Sequence, residues 1–111
     1  MDDYAFGDIV IARIPRVQGD RWETRHAMVV AADVSHQDGN IILLPLTTSN
    51  RGLSPSKIAI TNTVPRYSFI KFRPHTVHPR NVFRKCGHAD GNVVSAVRAQ
   101  LATFMEGRFP R

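Results

Sequence analysis

Three groups of residues in this sequence carry side chains suited to chemistry on an anionic substrate. The segment Arg16–Glu23 sets two guanidinium groups, Arg16 and Arg21, beside the indole of Trp22 and the carboxylate of Glu23. Guanidinium forks match phosphate oxygens, an indole offers a base-stacking surface, and a carboxylate turned into a pocket serves as a general base. This segment reads as a polar loop forming a lid or groove wall, with Trp22 equally suited to plugging the core or a subunit interface. The second group is Lys71, Arg73, His75 and His78, in a basic stretch broken by Pro74 and Pro79. It can contact nucleic acid or donate a proton; the plainer alternative is an exposed polar loop. The third is His26, whose ordinary titration near neutrality suits acid–base work. No pair of histidines has a metal-ligand spacing, and Cys86 with His88 does not make a zinc site. Neither a metal nor another cofactor is expected.

The charge balance agrees with an anionic partner. Fifteen Lys and Arg against nine Asp and Glu give a net charge of +6, and twelve of the fifteen cations are arginines. Arginine stays charged at any physiological pH and binds phosphate bidentately, so nucleic acid is the first partner to consider and simple solubility the second. The single cysteine, Cys86, excludes an intrachain disulfide and fits a reducing compartment. Residues 1–6 carry two aspartates and no apolar run, so no signal peptide is expected there. Apolar runs such as Ile41–Leu46 are far too short to span a membrane. A cytoplasmic protein is the expectation, with 1–111 as one domain.

The elements that must position these groups are mostly strands. Turn signals recur every eight to twelve residues, the spacing of a small barrel or sandwich. Residues 7–14 and 25–32 read as the first two strands. Asp38-Gly39 is a hairpin turn leading into a third strand at 41–47, apolar enough to be central, where Pro45 argues for a bulge or an end. Short strands follow at 57–61 and 67–72, then an irregular segment over 73–79 and a sixth strand at 81–86. Val93, Val97, Leu101, Phe104 and Met105 recur at helical spacing, with Asp90 or Asn92 as N-cap and Gly107 and Pro110 as stops. The expected fold is α+β and mainly β: a small, strongly bent barrel of five to six strands with a C-terminal helix.

The order of these parts resembles the MazF/PemK toxins. The start Gly7-Asp8-Ile9-Val10, the long first loop, Arg25 leading the strand His26-Ala27-Met28-Val29-Val30, and Pro45-Leu46-Thr47-Thr48 all fall in the family's order. Ser68-Phe69-Ile70-Lys71 stands where the family opens a strand with a polar residue, and Gly87 with the amphipathic helix completes a match from Gly7 to about Met105. The chain departs from the family at two positions. His26 replaces a proline, and Ser68 stands where some members have a catalytic aspartate, with no acidic residue between Asp38 and Asp90.

The resemblance implies an SH3-like barrel, a homodimer, a small acidic antitoxin as partner, and cleavage of single-stranded RNA without a metal. On that chemistry the ribose 2′-hydroxyl attacks the phosphate. A base takes its proton, a cation neutralises the phosphorane, and an acid protonates the leaving 5′-oxygen. The family's pattern places Arg25 at the scissile phosphate, with mainly electrostatic work, and Thr47 as a hydroxyl donor to a phosphate oxygen. Thr48, Ser68, Glu23 and His26 follow as further catalytic candidates. Strand alternation sets His26 and Arg25 on opposite faces, so both line one pocket only if a bulge intervenes. Arg16, Arg21, Trp22, Lys71, Arg73, His75 and His78 are the RNA-binding candidates. Gly7 and Asp8 fit a structural role at the start of the first strand. The alternative function is an SH3-like module that binds nucleic acid or protein and has lost catalysis with the missing acid; a housekeeping module, for instance ribosome-associated, explains the charge but not the arginine–threonine arrangement.

Overall fold

A computed structural model describes residues 4–15, 21–32, 40–48, 58–60, 64 and 68–105, with the backbone alone at 104–105. Its strands are β1 (Asp8–Pro15), β2 (Trp22–Ala32), β3 (Ile41–Thr47), β4 (Ala59–Ile60), β5 (Ser68–Ile70), β6 (His75–Val77) and β7 (Val82–His88). A 3-10 turn at Pro79–Asn81 precedes β7, and one helix, α1 (Gly91–Met105), closes the chain. The strands form one curled antiparallel sheet in the order β4-β5-β3-β2-β1-β7, and β6 pairs with β3 off that path. Among the described residues the chain is thus mainly β with one helix, the α+β plan expected of its sequence.

Alternation fails at Ile9-Val10 and at Leu43-Leu44, where consecutive residues are both buried. The cause is that the central sheet is covered on both faces. Val10, Ala12, Ile14, Ala27, Val29, Ile41 and Leu43 fill the inside of the curl. Ile9, Met28, Leu44, Leu46, Ile60, Ile70 and Val97 fill a second cluster, against which Val93, Val94 and Leu101 of α1 pack. Each fully buried Ile, Leu or Met contributes about 1.5–3 kcal/mol over its exposed state. The helix therefore sits on one face because its apolar stripe meets Ile9 and Met28, the residues that point away from the curl.

Several details differ from the sequence expectation. Trp22, Glu23 and Thr24 belong to β2 rather than to the first loop, because Pro15, Ile14 and Arg13 of β1 pair with them. The stretch between Pro74 and Pro79 is not wholly irregular, because His75–Val77 pairs with Ile41–Leu43. The two prolines lie just outside the three residues that need ladder hydrogen bonds. Pro45 neither ends β3 nor bulges it; the strand runs on to Thr47, and the extra residue is Val30, between the pairs Val29↔Leu43 and Ala31↔Ile42. Past Pro45, β3 exchanges β6 for β5, with Leu46↔Ile70 and Thr47↔Phe69. Asn92 lies inside α1, and the Asp90 carbonyl accepts from Val94 N at 3.0 Å, so Asp90 holds the N-terminal position. The proposed stops Gly107 and Pro110 lie outside the described residues, as do Arg16, the Asp38-Gly39 turn and most of the loop after Thr48.

The first strand begins at a corner that demands glycine. Gly7 has φ +97°, and a Cβ there would come within 2.8 Å of both His88 Cε1 and Val94 Cγ2. Beside it, the buried Asp8 carboxylate accepts from Ala5 N at 2.8 Å and meets His88 Nδ1 at 2.9 Å and Lys85 Nζ at 3.2 Å. Burial alone raises a carboxyl pKa, but these hydrogen bonds and the Lys85 charge outweigh it, and Asp8 lies below the ordinary value. Gly7-Asp8 ties β1 to β7 and the helix start.

Candidate active site

The cleft of interest opens where β2 leaves the apolar core. Glu23, Arg25, Ala27 and Val29 share one face of β2, and the last two are buried inside the curl. β1 pairs Ala12 with Arg25 and Ile14 with Glu23, so the charged residues extend the core face toward solvent. β3 pairs Pro45 with Ala27, and continuing that register by two residues brings Thr47 beside Arg25. Glu23, Thr24, Arg25, His26, Leu46, Thr47, Thr48 and Ser68 line the resulting cleft of about 330 Å³. All six catalytic candidates read from the sequence are among them.

Arg25 is held at one end only. Its Nη2 donates to the Leu46 carbonyl at 2.5 Å, and Nη1 lies 3.6 Å from Glu23 Oε1. Its Nε is buried with no hydrogen-bond partner among the described residues. A buried guanidinium nitrogen without an acceptor is costly. The Leu46 tether is a main-chain carbonyl, which no side-chain pattern in the sequence reveals.

The remaining candidates divide by position. Thr47 is half-buried and Thr48 exposed. Ser68 is buried and, two residues from Ile70 on β5, shares its strand face. No bulge separates Arg25 from His26, and alternation holds: His26 pairs with Ile11, which also pairs with Arg84. Both still line the cleft, because it is an open groove over the strand and takes in residues of both faces. Burial, then the Arg84 charge, lowers the His26 pKa. His75 on β6 is likewise lowered, first by burial and then by Arg25, Arg73 and Lys71. Lys71 and Arg73 occupy the link between β5 and β6, anchored by Lys71 N to the Pro45 carbonyl at 2.9 Å. His78 caps the 3-10 turn, its Nδ1 accepting from Arg80 N at 3.1 Å. Arg21 is exposed and Trp22 opens onto a different cleft, outside the one that holds Arg25. Among the described residues no three His, Cys, Asp or Glu side chains are grouped as metal ligands.

The family model of the PemK-like, MazF-like toxins of type II toxin–antitoxin systems matches residues 5–105 of this chain. The chain belongs to this family. No curated protein matches the chain with significance. As a PemK-like, MazF-like chain it has its Arg25, Pro45, Thr47 and Gly7-Asp8 inside the matched span. No helix among the described residues of this PemK-like chain is long and apolar enough to cross a membrane.

Proposed function

We propose that this protein is the toxin of a type II toxin–antitoxin pair and acts as a metal-independent endoribonuclease on single-stranded RNA. The observation that carries the reading is the under-satisfied Arg25 guanidinium, set beside Thr47 and Glu23 at the open end of the curl. In this reading the 2′-oxygen bonds to phosphorus and the bond from phosphorus to the 5′-oxygen breaks. Glu23, on the Arg25 face, takes the 2′ proton. Arg25 neutralises the charge that builds on the phosphorane, and the Thr47 hydroxyl bonds a non-bridging oxygen. His26, which lines the same cleft, protonates the leaving oxygen. The products are a 2′,3′-cyclic phosphate and a 5′-hydroxyl, and message is the cellular target in the cytoplasm. A single domain acting as a homodimer, held in check by an acidic antitoxin whose disordered tail covers the cationic cleft, completes the reading.

The test is incubation of the purified protein with a long single-stranded RNA in EDTA, beside DNA of the same sequence. Discrete RNA fragments with cyclic phosphate ends and intact DNA are expected. One observation favours a second reading: Ser68, where some family members carry an aspartate, is a buried hydroxyl. Intact RNA across several substrates would make the chain a binding module that has lost catalysis.

A further inference from the structure

A second cleft, of about 300 Å³, is lined by Arg13, Trp22, Arg80 and Asn81. Among the described residues its lining holds two guanidinium groups, one indole and one carboxamide, and no carboxylate. Trp22 is 46% exposed, unusual for so large an apolar ring, and the Arg13 guanidinium lies 5.7 Å from its ring centre. Trp22 sits at the start of β2, paired with Pro15, and Arg13 pairs with Thr24 on the same face. Arg80 and Asn81 come from the 3-10 turn, which is fixed at both ends. The His78 ring caps Arg80 N, Asn81 N donates to the His78 carbonyl at 2.9 Å, and Val82 N donates to Pro79 O. The backbone that carries Arg80 and Asn81 beside the Trp22 ring is therefore fixed.

The two clefts are neighbours along one strand. Thr24 lines the cleft with Arg25, and Trp22 lies two residues away on the same face, about 7 Å by strand rise. Trp22 shares the β2 face of Thr24 and His26, which line the first cleft, opposite the face of Glu23 and Arg25, so a strand leaving the first cleft over Thr24 meets the second.

We propose that the Arg13–Trp22–Arg80–Asn81 cleft is a nucleotide subsite for single-stranded RNA flanking the scissile bond. The Trp22 indole stacks one base, Arg13 and Arg80 take the phosphates on either side, and the Asn81 amide reads the base edge. The proposal rests on the reading of the chain as an RNA-acting toxin and assigns where the substrate strand runs beyond Arg25.

Trp22 is the only tryptophan in the chain, so its emission reports on this cleft alone. The experiment titrates the full-length protein with a 2′-O-methylated single-stranded oligoribonucleotide, which has no free nucleophile and stays intact. Saturable quenching of Trp22 emission is expected, weakening as salt rises. Trp22→Ala is expected to lower affinity, read by anisotropy of labelled RNA, about 5- to 150-fold, the worth of one base–aromatic stack, with Trp22→Phe restoring most of it. Arg13→Ala and Arg80→Ala each reduce affinity and flatten the salt dependence. RNA that binds by anisotropy without altering Trp22 emission overturns the subsite, as does quenching by an acidic peptide but not by RNA. Cleavage of unmodified RNA by the same preparation, measured alongside, separates the two claims. Cleavage without quenching removes the subsite and leaves the nuclease; quenching without cleavage does the reverse.

Discussion

Asp8 and Arg25 are both charged groups drawn in from solvent at strand positions, yet their surroundings are opposite. The Asp8 carboxylate is met by a main-chain N–H, an imidazole and an ammonium, with its side chain 7% exposed. The Arg25 guanidinium is met by one carbonyl and a distant carboxylate, and its Nε has no partner among the described residues. A charge whose hydrogen-bonding capacity is filled holds architecture together. A charge left partly unfilled beside an open groove is available to a ligand. The Gly7-Asp8 start belongs to the first kind, and Arg25 to the second.

The largest expected effect comes from disturbing the unfilled charge while keeping its sign. Arg25→Lys preserves a cation but loses the planar fork that bonds the Leu46 carbonyl and a phosphate oxygen together. RNA cleavage is expected to fall at least about 100-fold, the scale set by losing a transition-state donor, with the thermal midpoint nearly unchanged. A smaller change falls on the filled charge. Asp8→Ala strips the partners of Ala5 N, His88 and Lys85, and is expected to cost about 1–3 kcal/mol in urea unfolding while the folded fraction cleaves normally. Next is Thr47→Ala, where loss of the hydrogen bond that the proposed reaction gives it to the charged phosphate should slow cleavage about tenfold and Thr47→Ser should restore it.

The pH dependence sharpens the same contrast. Asp8 has a lowered pKa in the folded chain, so the unfolded chain binds more protons in acid. Its contribution to stability is fully present above the unfolded carboxyl pKa and is lost as pH falls through the lower, folded value. His26 and His75 are also lowered, and protonating them at mildly acidic pH favours the unfolded chain. Stability therefore declines as pH drops below the ordinary histidine range and again below the ordinary carboxyl range. Asp8→Asn is expected to remove only the second step, read from urea midpoints across pH.

Much of the architecture was legible because it rests on local signals. The helical spacing of Val93, Val97 and Leu101 identifies α1, and the apolar run 41–47 identifies the central strand with its bounds. The β6 pairing was not legible, since three residues between two prolines carry no periodicity and only the far strand Ile41–Leu43 selects them. The early start of β2 was hidden for a similar reason: Trp22, Glu23 and Thr24 look like loop residues until Pro15, Ile14 and Arg13 pair with them. At the site, Arg25 and Thr47 were legible through the family pattern. The Leu46 carbonyl and the Arg13–Arg80 flanks of Trp22 were not, because each depends on register between distant strands.

The most direct test measures cleavage rate and urea midpoint together on Arg25→Ala and Asp8→Asn. The account predicts a crossed pattern: Arg25→Ala folds as stably as the parent chain and does not cleave RNA, whereas Asp8→Asn unfolds more readily and still cleaves. Cleavage by Arg25→Ala at the parent rate, or a loss of its stability as large as that of Asp8→Asn, would contradict it.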